Sequence, residues 1–377
     1  MPLVAVAREL AQRGHEIQIL GERHLAVLAR DTGIPFHTIP GPGAPFADLG
    51  EGELRRLVSM LAPQERIIVN PLAPAAIIAA RYLGLPWVYA AASPLAFPVP
   101  WDPPWWPVLA PWQRRMDGLP GISGAARHLA RFWADRKSRF LRHRAQKMGV
   151  RLGGHPRFEG LYSPTLNLLL ATPELLSAPP PACAVPFAVT GFCDYIPASL
   201  HNSEAQERLE RFRGDGPAPV VIAPGGADRS NPREFVDLAL KACQVLELRA
   251  VVSIRWSFRS MVPESRQVLV LPYLPYPMLF QRCAAVIHSG GVGTLSWAVR
   301  AGVPSVLLPS VWDQFDNTRR ALERGWGVWP RRTAPSIARS LELLLQRPGN
   351  DLVEVSTRLR AERGASTAAD RIESEVA

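Results

Sequence analysis

The sequence predicts an α/β protein of two domains, each a parallel sheet covered by helices. Two sets of short apolar runs, separated by helical segments, favour this fold. The first set is IQIL (17–20), FHTI (36–39), RIIV (66–69) and PWVYA (86–90). The second set is PVVIA (219–223), RAVVSI (249–254), VLVL (268–271), AAVIH (284–288) and PSVLLP (304–309). Strands that alternate with helices form parallel sheets, and a chain of 377 residues is long enough for two such domains.

The chain is predicted to open on a helix. Apolar residues recur at helical spacing from Leu3 to Ala11, Pro2 suits the first helical position, and Gly14 suits the position after the helix. This helix precedes the first apolar run, as the alternation of helices and strands requires.

A linker is predicted between the two sets of strands. The stretch 194–219 has a charged middle with Pro and Gly near its ends, which is typical of an interdomain connection. We therefore predict a first domain over 1–200 and a second over 201–345. Over 346–377 we expect a C-terminal helix, assigned to DLVEVSTRLRAERGAS (351–366), that packs back toward the first domain.

Residues 97–112, FPVPWDPPWWPVLAPW, carry aromatic rings among prolines, which excludes a regular helix or a central strand. Phe97, Trp101, Trp105 and Trp106 form an aromatic wall over a bulky apolar ligand, or belong to a rigid loop whose rings cap the core. Both interpretations stay open from the sequence.

The net charge is +10. No nucleic-acid-binding motif accompanies it, so nucleic acid is not a predicted partner. Much of the charge lies over 126–151, where Leu129, Trp133, Phe140 and Leu141 suggest one apolar face. We expect a solvated surface helix in preference to one that contacts an anionic membrane surface or an acidic acceptor.

Cysteines and targeting signals give little indication of special chemistry. The four cysteines are scattered, with no Cys-x-x-Cys pair and no histidine at metal-ligand spacing, so we expect reduced core residues. No apolar window of about 18 residues and no secretory signal occur, which predicts a cytoplasmic protein.

The segment 284–302 predicts an anion-binding site. AAVIH (284–288) is typical of a buried strand, SGGVGT (289–294) of a Gly-rich turn, and LSWAVRAG (295–302) of a helix. The N–H groups at such a helix start attract a phosphate, and glycines let it approach the backbone. His288, at the end of the strand, can donate a hydrogen bond to the same phosphate.

Further polar and aromatic residues follow neighbouring strands, at the edge where open α/β sheets bind ligands. Asp313 and Gln314 follow PSVLLP and can bind sugar hydroxyls. Tyr273 and Pro275 follow VLVL, where an aromatic ring can stack on a base. Alone, His288 would be interpreted as a core histidine and Asp313 as a helix N-cap, but their joint spacing favours a site for base, phosphate and sugar.

From Tyr273 to Asn317 the sequence resembles the donor-binding motif of family 1 glycosyltransferases, in particular the bacterial macrolide and antibiotic branch. The matching residues are Pro275, HSGGVGT (288–294) and DQFDN (313–317). The resemblance implies the GT-B fold, two facing Rossmann-like domains with the ligand cleft between them.

The resemblance also implies a role for each matching residue. Tyr273 would stack on uracil or thymine, and Asp313 with Gln314 would bind sugar hydroxyls. The diphosphate would be held by His288 and the turn after it, namely Gly290, Gly291, Gly293 and Thr294. By a looser match, Gly225 and Gly226 belong to a first donor loop.

The catalytic residue is unknown from this sequence. In the family, a first strand ends in a Gly-His-x-x-Pro loop whose His deprotonates the acceptor, and Pro2 aligns with that Pro. The strand and its His are absent before Pro2, which suggests a start site further upstream or a truncated gene, and predicts a gap in the first sheet. Asn70 matches the position of the Asp that orients the His. His15, of the RGHE turn, is interpreted as structural.

The resemblance implies an inverting, metal-independent transfer of a hexose from a UDP- or dTDP-sugar to a hydroxyl of an apolar small-molecule acceptor. The nucleotide sugar is a co-substrate, and no cofactor is expected; no metal is expected either, since the chain has no Asp-x-Asp pair. The alternatives are a catalytically silent nucleotide-sugar-binding protein or truncated gene product, and a lipid glycosyltransferase or sugar-nucleotide epimerase of the same fold.

Overall fold

The computed structural model describes residues 2–39, 50–97, 104–107, 109–116, 121–176, 186–225, 232–346 and 350–375. The chain divides into two compact units. The first unit comprises Met1–Pro104, Pro111–Pro197 and Arg363–Ala377, and the second comprises Trp105–Ala110 and Ala198–Glu362.

The first unit contains parallel strands in two separate sheets. Strands β1 (Ile19–Gly21) and β2 (Phe36–Thr38) form one sheet, and the other holds β3 (Ile67–Val69), β4 (Trp87–Ala91), β5 (Leu166–Leu169) and β6 (Phe187–Val189) in that order. The helices before β5 in the first unit are α1 (Pro2–Gln12), α2 (Ala26–Ala29), α3 (Glu51–Leu61), α4 (Pro74–Leu83), α5 (Ala110–Arg115), α6 (Ile122–Lys137) and α7 (Arg139–Lys147).

Each apolar run of the first set forms a strand, but β5 and β6 were not predicted. Strand β5 is buried along its whole length, so it lacks the alternating pattern that identifies a half-buried strand. Strands β1 and β3 do not pair with each other among the described residues. An interruption of the first sheet is predicted from the sequence.

The second unit is a doubly wound parallel sheet. Its strands are β7 (Val220–Ala223), β8 (Ala250–Ser253), β9 (Val268–Leu271), β10 (Ala285–His288), β11 (Ser305–Leu307) and β12 (Gly327–Val328). Its helices are α8 (Ser203–Gly214), α9 (Pro232–Val245), α10 (Tyr276–Phe280), α11 (Val292–Arg300), α12 (Gln314–Glu323), α13 (Ala334–Leu345) and α14 (Asn350–Arg360). The five predicted runs form β7 to β11, and the short β12 was missed.

The strand order in this sheet is β12-β11-β10-β7-β8-β9, so the order reverses between β7 and β10. Both faces of the sheet are covered. Val220 and Ile222 pack in a cluster with Phe235 of α9 and Ile337 of α13. Val221 and Ala223 face the opposite layer, which contains residues of α8, α10 and α11. Burial on both faces explains why these strands are continuous apolar runs.

The predicted C-terminal segment, 346–377, contains two helices that lie in different units. Helix α14, which covers most of the predicted segment, stays in the second unit, where Ser356 Oγ donates to the Arg300 carbonyl at 2.6 Å. The chain returns to the first unit one helix later, through α15 (Gly364–Ser374), which packs on α1. The spacing of apolar residues predicts a helix for both α14 and α15, but it does not predict in which unit each helix packs.

Two residues that follow α1, Arg13 and His15, contact α15 through their side chains. Arg13 forms ion pairs with Asp370 at 2.6 Å and Glu373 at 2.7 Å, and His15 Nε2 lies 2.9 Å from Glu373 Oε1. His15 therefore has a structural contact in the first unit. Among the described residues, no helix is both long and apolar enough to cross a membrane.

Candidate functional site

The candidate site lies where the strand order of the second unit reverses. Strands β7 and β10 are neighbours there, with Ala223 opposite His288 at their carboxyl ends. Open α/β sheets bind ligands at such a reversal. Gly225, after β7, has φ +84°, and a Cβ on it would lie 3.1 Å from Ser289 Oγ. The two predicted glycine turns are therefore in contact; Gly226 lies outside the described residues.

Gly290 fixes the shape of the second turn. Its φ is +83°, and a Cβ there would lie 2.6 Å from Thr318 Oγ1 and 3.0 Å from the Gln314 carbonyl oxygen. A side chain is therefore excluded by both conformation and space. Asn317 Nδ2 donates to the Gly290 carbonyl at 3.1 Å, so the turn is also bonded to α12.

The start of α11 faces open space. Gly291 is the N-cap, without a side-chain hydrogen bond, and the first turn contains no acidic residue. A Cβ on Gly291 or on Gly293 would meet no heavy atom within 4 Å. Since the first N–H groups of a helix have no partner inside the helix, this end can accept an anion. Thr294, by contrast, uses its hydroxyl to donate to Tyr276 Oη at 3.2 Å.

His288 is completely buried at the end of β10. Its Nδ1 accepts a hydrogen bond from the Gly290 N–H at 3.1 Å, and burial lowers its pKa to about 3. The ring is therefore neutral at pH 7 and carries its proton on Nε2. Nε2 is buried with no hydrogen-bond partner in the described part of the chain. An unpaired buried donor costs about 1–3 kcal/mol, which favours a ligand acceptor at this position.

Asp313 stands at the N-cap of α12 but makes no side-chain cap. Its Oδ2 accepts instead from Asn317 Nδ2 at 2.9 Å, and the residue is half-buried. Asn317 thus joins Asp313 to the Gly290 carbonyl, and so connects the predicted sugar position to the predicted phosphate turn. We did not assign Asn317 to the site from the sequence, although it lies within the DQFDN motif.

Gln314 is buried and holds the loop before α12 through hydrogen bonds. Its Oε1 accepts from the N–H groups of Ser310 at 2.9 Å and Val311 at 3.1 Å. Its Nε2 is buried without a partner among the described residues. Trp312, in the same loop, has φ +53° and is 48% exposed. The amide oxygen of Gln314 therefore shapes the loop that carries Asp313.

Tyr273 lies beyond the end of β9 and is 42% exposed. Its ring centroid is 5.3 Å from that of Tyr276, whose hydroxyl contacts Thr294 at the start of α11. Pro275 is the N-cap of α10 and thereby sets the direction of that helix. Tyr273 is thus linked to the anion site through one intervening ring.

The aromatic loop has mostly buried rings. Phe97, in the first unit, packs on Phe187 with centroids 4.8 Å apart. Trp105 and Trp106 belong to the second unit, where the Trp105 N–H donates to Asp316 Oδ1 at 2.9 Å. All three rings are less than 10% exposed, which matches the interpretation that the rings cap the core. Trp101 lies outside the described residues.

Asn70, after β3, uses its side chain within its own loop. Its Oδ1 accepts from the Leu72 N–H at 2.9 Å. This contact fixes the loop at the carboxyl end of β3 without involving a histidine ring. The proposed orienting role for Asn70 therefore stays a prediction.

A known family model matches the region that contains most of the candidate site. Residues 245–376 match the family model of the erythromycin biosynthesis protein CIII-like C-terminal domain. Over its whole length the chain is 27% identical to glycosyltransferase GtfE of Amycolatopsis orientalis, with 97% of this chain and 90% of GtfE covered. It is 23% identical to the sterol 3-beta-glucosyltransferase UGT80B1 of Arabidopsis thaliana, covering 98% of this chain and 65% of the plant protein.

These similarities show that the chain is a glycosyltransferase similar to the bacterial antibiotic enzymes. Solved structures agree on its fold: this glycosyltransferase matches the spinosyn forosaminyltransferase SpnP with a TM-score of 0.70, at 17% identity over 100% of this chain and 95% of SpnP. The spinosyn rhamnosyltransferase SpnG complexed with thymidine diphosphate matches with a TM-score of 0.66, at 18% identity over 99% of this chain and 96% of SpnG. SpnG has also been solved complexed with spinosyn aglycone. The fold of the glycosyltransferase is GT-B.

Proposed function

We propose that this glycosyltransferase transfers a hexose from a UDP- or dTDP-sugar to a hydroxyl of an apolar small molecule. The proposal includes inversion at the anomeric carbon, no requirement for a metal ion, and the cytoplasm as its location. The observation that carries it is the unpaired Nε2–H of buried His288, beside the glycine-lined start of α11.

The donor diphosphate would sit at the start of α11. His288 Nε2–H would donate to one phosphate oxygen, and the helix N–H groups would bind others. These donors are fixed before the reaction begins, so they would stabilise the charge that develops on the departing diphosphate. The thymidine diphosphate complex of SpnG supports a ligand of this class.

The base and the sugar would contact the residues on either side. Tyr273, with its exposed ring, would stack on uracil or thymine. Asp313 would accept hydrogen bonds from sugar hydroxyls. Gln314, whose Oε1 holds the loop that carries Asp313, would bind sugar hydroxyls through its unpaired Nε2. The Asp313 carboxylate, which accepts a hydrogen bond from Asn317, suits this role, because a preorganised acceptor loses little conformational freedom when the sugar binds.

The acceptor is proposed from the chemistry of the relatives. One is a sterol glucosyltransferase by name, and SpnG was solved with an aglycone, so these relatives support a largely apolar molecule with a free hydroxyl. Inversion would need attack on the anomeric carbon opposite the departing diphosphate, assisted by a general base. The base stays unassigned, and Asn70 is its proposed orienting partner.

Transfer can be tested by incubating the protein with dTDP-glucose or UDP-glucose and a panel of hydroxylated apolar acceptors, with and without EDTA. Product with β-configuration from an α-linked donor, formed equally in EDTA, is the expected result. An α-linked product would contradict inversion, and loss of activity in EDTA that Mg²⁺ restores would contradict metal independence.

A silent nucleotide-sugar-binding protein is the second candidate. It is favoured by the separation of β1 from β3 in the first unit, whereas the donor site belongs to a continuous sheet in the second. It predicts tight binding of a nucleotide sugar with neither transfer nor hydrolysis above background. A changed sugar on recovered nucleotide would instead indicate an epimerase.

A further inference from the structure

Most of the net positive charge lies in one segment of the first unit. Residues 122–147, which form α6 and α7, contain eight Arg and Lys against one Asp. This segment therefore carries +7 of the net +10. Charge concentrated in this way creates a local field that the average composition does not show.

Helix α6 is anchored by its inner face. Arg131 forms an ion pair with Glu159 at 2.6 Å, and its guanidinium lies 5.7 Å from the Phe158 ring. Asp135, one turn later, pairs with Arg142 of α7. These contacts fix which side of α6 points outward.

The outward face of α6 carries three large apolar side chains. Leu129 is 44% exposed, Phe132 59% and Trp133 55%. Their spacing of three and four residues places them side by side on one helix face. The sequence suggests one apolar face for Leu129, Trp133, Phe140 and Leu141, but Leu141 is buried in a cluster with Ile78 of α4. The apolar residues of the segment are thus divided between the core and the solvent.

Exposed basic side chains follow these apolar residues in the chain. Arg136 lies one turn after Phe132 and is exposed, and Arg139, at the start of α7, is exposed as well. A helix that combines exposed Trp, Phe and Leu with flanking arginines has the composition of an interfacial membrane helix. Arginine also has an alkyl chain that can cover apolar surface while its charge reaches phosphate groups.

We propose that the outward face of α6, formed by Leu129, Phe132, Trp133 and Arg136 together with Arg139 of α7, docks the protein on an anionic lipid bilayer. The three apolar side chains enter the boundary between headgroups and acyl chains, and the arginines bind lipid phosphates. Charge complementarity favours this occupant over a neutral apolar partner, since anionic lipid attracts each basic residue near its surface. The proposal is independent of the reaction that the site catalyses.

Co-sedimentation with vesicles tests the proposal. Vesicles of phosphatidylcholine with phosphatidylglycerol are compared with phosphatidylcholine alone, at low and at high salt. The full-length protein is expected to bind the anionic vesicles at low salt and to dissociate as salt rises, because screening weakens attraction to the surface. No binding to anionic vesicles at low salt would overturn the proposal.

Variants assign the binding to this face. Phe132→Ser with Trp133→Ser should lower the partition coefficient about tenfold or more, and Arg136→Glu with Arg139→Glu should do the same. Tyr82→Ser and Arg339→Glu are matched controls, since Tyr82 is 55% exposed and the Arg339 side chain 73% exposed elsewhere. Equal losses in the controls would overturn the proposal.

The conservative variant Trp133→Phe separates insertion from folding. It should still bind the vesicles, but quenching of tryptophan fluorescence by brominated lipid should fall relative to the unmodified protein. Unchanged quenching would show that Trp133 does not enter the lipid. Self-association that the Phe132→Ser, Trp133→Ser pair abolishes, with no vesicle binding, would assign the face to a second copy and contradict the proposal.

Discussion

The two units of this protein differ in how much of their function can be assigned. In the second unit, β7 and β10 are adjacent, and the buried, unpaired Nε2–H of His288 lies at the carboxyl end of β10. In the first unit, β1 and β3 are not paired, and the side chain of Asn70 at the end of β3 bonds within its own loop. The difference shows that a ligand site becomes recognisable when its groups are contiguous in the chain and end on neighbouring strands.

The largest expected effect distinguishes core residues from site residues. Phe97→Ala should destabilise the protein by about 3–5 kcal/mol, because it removes a buried ring that contacts Tyr89, Tyr162 and Phe187. Affinity for dTDP should stay unchanged below the unfolding transition. Urea unfolding followed by calorimetric titration measures both, and a stable variant with weakened acceptor use would return Phe97 to the acceptor site.

Gly290→Ala should destabilise by about 2–4 kcal/mol, since it combines a left-handed conformation with a Cβ 2.6 Å from Thr318 Oγ1. Gly291→Ala is the matched control. Its φ of −61° and the open space around it predict little loss of stability but weaker nucleotide binding. Equal destabilisation of the two variants in urea would contradict the geometry assigned to the turn.

These glycines also show how much the sequence revealed. The turn from His288 to Thr294 lies between one strand and the next helix, so its conformation depends mainly on adjacent residues and its place was predictable. The formation of β5 and β12 depends on packing with distant segments, and so does the side of α6 on which Leu129 lies. A local sequence pattern does not predict such packing. The same is true of α15, since the return to the first domain was assigned to the segment 351–366.

Stability should depend on pH through His288. Burial lowers its pKa to about 3 in the folded protein, whereas an unfolded histidine titrates near 6.5. The unfolded state therefore binds the proton first, so this contribution to stability is complete above about pH 6.5 and is lost as pH falls toward 3. The free energy of unfolding should fall by about 2 kcal/mol or more over this window, and less so in His288→Gln. An identical pH profile in the variant would exclude His288 as the cause.

A smaller effect concerns the sugar. Asp313→Ala should weaken the binding of dTDP-glucose by about 1–2 kcal/mol, the scale of a hydrogen bond to a charged group. The binding of dTDP itself should be unchanged. Asn317→Ala should show the same preference more weakly, because it removes the amide that holds the Asp313 carboxylate. Calorimetric titration with both ligands measures the difference, and equal losses for dTDP and dTDP-glucose would place Asp313 outside the sugar site.

The central claim is that the buried Nε2–H of His288 donates to the diphosphate at the start of α11. Its most direct test is titration of His288→Ala and of the unmodified protein with dTDP, UDP and the corresponding nucleosides. The account predicts a loss of about 1–3 kcal/mol for each diphosphate and no loss for the nucleosides. Unchanged affinity for dTDP and UDP, in a variant that remains folded, would contradict it.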